Sequence, residues 1–223
     1  MFAVSPTRCL LLLLLLTLAI SVPRAGAADP YLVKDINTLP NAYGSDPQDF
    51  CLVGTTVFFT AETRELGREL WKTDGTAAGT VLVKDINPGS EGSSPSQLVA
   101  VGNTLYFSAN DTTNGTGLWK SDGTAAGTVL VKGSGGFFVT HLAVMGSTIY
   151  FSGSDGFNDV NGVELWKTDG TTAGTVLVKN INPGDGGSDP KLLDRVGDVL
   201  YFTANDGVHG TELWKTDGTE SGT

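Results

Sequence analysis

An all-β fold, a β-propeller of four blades, is predicted by three observations. The phrase Glu-Leu-Trp-Lys-Thr-Asp-Gly-Thr occupies residues 69–76, 164–171 and 212–219, and residues 117–124 read Gly-Leu-Trp-Lys-Ser-Asp-Gly-Thr. The chain's tryptophans are Trp71, Trp119, Trp166 and Trp214, one per copy, spaced by 48, 47 and 48 residues. Each copy also contains short β-favouring runs punctuated by turn residues, and no part of residues 28–223 has helical periodicity. A fixed period of this length marks a repeat architecture, and four short antiparallel strands per period mark a propeller blade.

Residues 1–27 precede the repeats and read as a signal peptide. Arg8 leads into a leucine-rich run from Cys9 to Ile20, and Ala25-Gly26-Ala27 supplies small residues for cleavage. The run is short for a membrane span. The expected product is an exported protein, extracellular or periplasmic, with a single repeat domain over residues 28–223 and no membrane insertion after cleavage.

The second repeat shows the elements in order. Gln97–Val101 is a short apolar strand closed by a turn at Gly102-Asn103. Thr104–Ala109 is a second strand, rich in aromatic and β-favouring residues. A loop from Asn110 to Thr116 leads to a third strand around Leu118-Trp119-Lys120, and Asp122-Gly123 opens the connection to a fourth, Thr128–Lys132. Leu105-Tyr106-Phe107 and Val129-Leu130-Val131 are apolar on consecutive residues, so both faces of these strands are expected to be covered. Blades sandwiched between neighbours meet that requirement.

The phase of the repeat points to closure. Tyr31-Leu32-Val33-Lys34-Asp35-Ile36 matches the fourth strands at 81–86 and 176–181, and stands alone before the first complete repeat. It is expected to complete the last blade and close a four-bladed ring without a free edge. The alternative is an open piece of a larger propeller or repeat array.

The pattern Glu-Leu-Trp-x-x-Asp-Gly-Thr-x-x-Gly-Thr, followed by Val-Leu-Val-Lys-Asp-Ile-Asn-Pro-Gly, resembles the bacterial family named for its ELWxxDGT repeat. The resemblance covers residues 31–223. It implies an exported or surface protein with a propeller-like fold, and it brings no catalytic residues with it. Two departures stand out: Gly117 replaces the motif glutamate, and the connection after Lys132 is four residues shorter than its counterparts.

Charge and cysteine content narrow the partners. Residues 1–27 hold two arginines and no acid, so their removal takes the formal net charge from −10 to −12. Such a surface repels nucleic acid and anionic membranes. Cys51 is then the remaining cysteine; it aligns with Val99 and Ala143 and reads as a small apolar core residue.

The repeated residues read as structural. Asp74, Asp122, Asp169 and Asp217 each precede a glycine, and Asp-Gly is a strong turn former. Lys72, Lys120, Lys167 and Lys215 follow the tryptophans, and Lys34, Lys84, Lys132 and Lys179 end the outer strands, where they are expected to block edge pairing and cover the tryptophans. Binding chemistry is expected on one face of the disc, where the loops after the second and fourth strands emerge together. Those loops carry Asp85, Asp111, Asp155, Asp159 and Asp206 among neighbouring asparagines. Clustered oxygens of this kind suit calcium, a hard cation that takes six to eight oxygen ligands, and equally suit the hydroxyls of a carbohydrate. The loop from Gly153 to Gly162 is the longest of its kind. His141 and His209 have no sequence neighbours that suggest a nucleophile or a metal set. The expected function is a non-catalytic binding or adhesion module, for a carbohydrate or a cell-surface protein. The alternatives are a passive surface repeat or adhesin fragment, and a secreted hydrolase or lyase on a propeller frame.

Overall fold

Each repeat folds into one antiparallel sheet whose strands follow chain order. The structure is a computed structural model and describes residues 30–39, 43–133, 137–156, 161–184 and 186–223. Sheet I contains β1 (Gln48–Val53), β2 (Thr56–Thr63), β3 (Gly67–Thr73) and β4 (Val81–Lys84). Sheet II contains β5 (Ser96–Val101), β6 (Thr104–Asp111), β7 (Gly115–Ser121) and β8 (Val129–Lys132). Sheet III contains β9 (Phe138–Met145), β10 (Thr148–Ser154), β11 (Glu164–Thr168) and β12 (Val176–Lys179). Sheet IV has three strands, β13 (Lys191–Val196), β14 (Val199–Asn205) and β15 (Thr211–Thr216). The fold is all-β and propeller-like. The expected signal peptide, residues 1–27, lies outside the described residues, and so does Asp159.

Register explains why the tryptophan recurs. Within each sheet it sits opposite a phenylalanine of the second strand: Phe59 with Trp71, Phe107 with Trp119, Phe151 with Trp166, Phe202 with Trp214. In the first three sheets it also faces a leucine of the fourth strand, Leu82, Leu130 or Leu177. The Phe-Trp-Leu row forms one face of the sheet. The other face carries Phe58, Leu70 and Val83 in sheet I, and Tyr106, Leu118 and Val131 in sheet II.

Successive sheets bury these two faces against each other. Phe58, Leu70 and Val83 pack on Leu105, Phe107 and Trp119 of sheet II. Tyr106, Leu118 and Val131 pack on Ile149, Phe151 and Trp166 of sheet III. Tyr150, Leu165 and Val178 pack on Leu200, Phe202 and Trp214 of sheet IV. The core is thus three interfaces in series, as the doubly apolar strands require. The inner strands touch in order, β1 with β5, β5 with β9 and β9 with β13, and no comparable contact joins β13 back to β1.

Residues 31–36 depart from the expected pairing. They form no strand, and among the described residues no strand pairs with the outer side of β15. Ile36 lies instead on Phe59, Ala61 and Trp71 of sheet I. Lys34 Nζ donates to Thr80 O at 2.7 Å, as Lys84 does to Thr128 O at 2.9 Å and Lys179 to Thr223 O at 2.7 Å. The segment therefore occupies the place, relative to sheet I, of the outer strand of a preceding sheet.

Candidate functional site

The motif residues fasten the sheets, each by a distinct contact. In sheet I, Asp74 Oδ1 accepts the Thr76 amide at 2.9 Å and the Thr76 hydroxyl at 2.7 Å, and Asp122, Asp169 and Asp217 repeat this pair. The threonine hydroxyl first, and its amide second, hold all four carboxyls below the usual carboxylate range. The lysine after tryptophan reaches the Asp-Gly turn of the next sheet: Lys72 Nζ donates to Gly123 O at 2.7 Å, Lys120 to Gly170 O at 2.9 Å and Lys167 to Gly218 O at 2.7 Å. These lysines are inter-sheet tethers, a tighter role than edge protection. The outer-strand lysines do cover tryptophans of the next sheet, Lys84 over Trp119 at 5.8 Å and Lys132 over Trp166 at 4.7 Å. Gly170 is required here as well. Its φ is +88°, and a β-carbon would collide with the Tyr106 hydroxyl of the preceding sheet.

The motif glutamate is a buried latch. Glu69 accepts the amides of Ile86 (3.2 Å), Asn87 (3.1 Å) and Ser93 (2.9 Å) and the Ser93 hydroxyl (2.5 Å). Glu164 likewise accepts Ile181 N (3.0 Å), Asn182 N (3.1 Å) and Ser188 Oγ (2.6 Å). Each carboxylate thereby folds the connection into the following sheet across its own strand. Burial pushes both carboxyls above their ordinary range, and the hydrogen bonds pull partly back. At Gly117 the latch is missing for a steric reason: a β-carbon there would lie 2.6 Å from Leu130 Cδ1 and 2.9 Å from Lys132 O. The shorter connection leaves Lys132 O and Gly133 against Gly117, in the space the glutamate would need.

The acids predicted as ligands, other than Asp159, which lies outside the described residues, have different surroundings. Asp111 accepts the amides of Thr113 and Asn114 inside its own loop. Asp155 pairs with Lys132 at 3.6 Å. Asp206 accepts the amides of Val208 and His209, and its Oδ2 lies 2.7 Å from His209 Nδ1. The hydrogen bond from His209 is the largest influence holding Asp206 below its ordinary range, and in turn it raises the imidazole. Asp85 differs: its Oδ1 is buried without a hydrogen-bond partner, as is Asn87 Oδ1 two residues on. Among the described residues no three His, Cys, Asp or Glu side chains form a group suited to a metal ion. The loops do share one side. Asn110 N donates to Ser93 O and Asn205 N to Ser188 O, both at 2.9 Å, which sets the loop after each second strand beside the connection entering that sheet. Cys51 packs on the first interface, where burial raises its thiol.

The structure adds Asp49 and Gln97 to the candidates and gives His141 a place that its sequence neighbours did not suggest. Asp49, Gln97 and His141 occupy the same place in β1, β5 and β9, at a bulge where each first strand slips register on its partner. All three have left-handed φ, 52°, 58° and 53°. Non-glycine residues seldom adopt that region, so three in register mark an imposed backbone shape. Beside His141, sheets III and IV enclose an open groove of about 430 Å3, lined by Phe138, Thr140, His141, Asp189, Lys191 and Thr211 among others. The available signal was their polarity at the head of otherwise apolar strands.

No protein-family model matches the chain, and no curated protein does either. Among solved structures it is similar to a puromycin hydrolase at 14% identity and a TM-score of 0.51, over 77% of this chain and 26% of that one. It is also similar to a GH74 xyloglucanase from Xanthomonas campestris, at 17% identity and TM-score 0.49, over 81% of this chain and 29% of that one. A computationally designed protein, Ika4, aligns over 83% of this chain and 98% of its own length at 16% identity and TM-score 0.44. This chain thus spans about a quarter of the length of the hydrolase. At such identity the likeness to the puromycin hydrolase is one of fold alone.

Proposed function

We propose that this protein is an exported, non-catalytic binding module in which repeated residues fasten the sheets and unrepeated residues meet the ligand. The observation that supports this is the division of labour within each repeat. In sheets I to III the motif tryptophan, aspartate and lysine, and the glutamate where present, are engaged in inter-sheet or turn contacts, whereas the groove between sheets III and IV is lined in part by His141, Asp189 and Lys191, which differ from Gln97, Ser94 and Ser96 of sheet II. The exposed Phe138 lines the groove together with Thr140, Thr211, His141, Asp189 and Lys191. An apolar plate ringed by donors and acceptors suits a saccharide, and the alternative ligand is a cell-surface protein. A glycan array probed with the protein tests this. Binding to a defined saccharide class, weakened at least tenfold by His141→Ala with unchanged thermal unfolding, is the expected result; no binding to any glycan overturns it.

Calcium is a second reading, supported by the unpartnered buried oxygens of Asp85 and Asn87. Repeating the glycan measurement in chelator separates direct saccharide contact from metal-dependent contact. The closed four-bladed ring would need residues 31–36 on the free edge of β15 of the same chain, and the similarity of that segment to the outer strands supports it. Sheets I and IV would then form a fourth interface like the other three.

A further inference from the structure

The left-handed bulge recurs in sheets I, II and III, and what it presents changes each time. Asp49, Gln97 and His141 share the backbone shape and the register slip, yet they carry a carboxylate, a carboxamide and an imidazole. The motif residues that fasten the sheets keep their identity from sheet to sheet; at this place the backbone is kept and the side chain varies. All three residues are exposed, and Gln97 is the one exposed residue of β5. The bulge therefore turns a polar group out of a strand that is otherwise covered.

The three residues form a row. β1 touches β5 and β5 touches β9, so the same place on each strand adjoins that on the next. Asp49 and Gln97 line one open pocket of about 280 Å3, with Leu98 among others. His141 lines the groove of about 430 Å3 between sheets III and IV. In sheet IV the place falls to Leu192, apolar and half-buried, so the polar row ends at the groove.

Resting on the saccharide-binding reading above, we infer that the ligand is a neutral, linear glycan chain that runs from the groove across sheets III, II and I, contacting His141, Gln97 and Asp49 in turn. A single sugar in the groove leaves the other two bulges without a use. One device repeated on three adjoining strands matches a ligand that is itself a repeat. All three side chains accept hydrogen bonds, and the carboxamide and imidazole also donate, which suits the hydroxyls of sugar rings. A formal net charge of −10 disfavours a polyanionic chain.

Titration calorimetry with malto-, cello-, xylo- and manno-oligosaccharides, each as a series from monosaccharide to hexasaccharide, tests this. In the series that binds, affinity is expected to climb up to at least the tetrasaccharide, by about tenfold or more over the disaccharide. Asp49→Gly and Gln97→Gly remove the side chain and leave the left-handed backbone accessible, so cooperative unfolding is expected to persist and serves as the folding control. Each is expected to weaken the hexasaccharide by about three- to tenfold, the weight of a lost hydrogen bond, and to leave the disaccharide unchanged. Affinity that stops rising at the disaccharide overturns the row, and so does a hexasaccharide indifferent to both glycine variants; in either case the groove keeps its sugar. Binding in none of the four series overturns this inference, while the glycan array judges the saccharide reading separately.

Discussion

Leu165 and Leu213 occupy the same place in the same phrase, Glu-Leu-Trp-Lys-Thr-Asp-Gly-Thr, yet one is fully buried and the other 66% exposed. Their own strands are equivalent: each leucine precedes a tryptophan that faces a phenylalanine of the second strand. What differs is the next sheet. Leu165 is covered by Leu200 and Phe202 of sheet IV, whereas among the described residues Leu213 belongs to no buried cluster. Glutamate shows the same contrast, since Glu164 is buried under the connection that it holds and Glu212 is exposed. A motif of this kind encodes half of an interface, and its residues gain their energetic weight from the following unit. Stability in such a chain approximates a sum of sheet and nearest-neighbour terms.

The largest effect that distinguishes the two regions is truncation of the paired leucines. Leu165→Ala removes buried methyls and leaves a cavity, for an expected loss of about 2–5 kcal/mol. Leu213→Ala is expected to fall within about 0.5 kcal/mol of the parent, as exposed substitutions do. Urea unfolding of both variants decides it, and equal losses would mean that sheet IV is covered in solution. A smaller effect comes from the latch. Glu164→Gln keeps the shape but sets an amide group among donors, at an expected cost of about 1–3 kcal/mol at neutral pH. Because burial raises the Glu164 carboxyl, the folded state retains a proton that the unfolded chain has already released. Stability therefore falls as pH rises from the ordinary carboxylate range through the raised value, and the substitution should flatten that slope. Glu212→Gln should change neither stability nor slope; a pH profile of Glu164→Gln identical to the parent would contradict the latch.

Much of the fold was legible because the relevant signals are local. The tryptophan period gave the number of sheets. Consecutive apolar residues such as Leu105-Tyr106-Phe107 announced burial on both faces, and the Asp-Gly pairs marked turns. The second strand of sheet II was expected at 104–109 and runs Thr104–Asp111. What escaped depends on convergence across distance. Glu69 receives its donors from residues 17 to 24 positions further on, which no short phrase displays. Its one trace in the sequence was the joint loss of glutamate at 117 and of four residues after Lys132. Residues 31–36 resemble the outer strands in sequence, but similarity alone does not say where such a segment lies, and here it rests on sheet I without forming a strand. The groove was hidden because the left-handed backbone at His141 is set by a bulge in the pairing of β9 with β10, not by local composition. Asp111 and Asp206 are engaged by amides two and three residues ahead, ordinary turn chemistry.

The central claim is that the following sheet, and not the motif itself, locks each tryptophan-bearing strand. Native-state hydrogen exchange tests it directly on β3, β7, β11 and β15. The account predicts that amides of β3, β7 and β11 exchange only through global unfolding, while those of β15 exchange through an earlier, local opening of sheet IV. Equal protection of all four strands would contradict it.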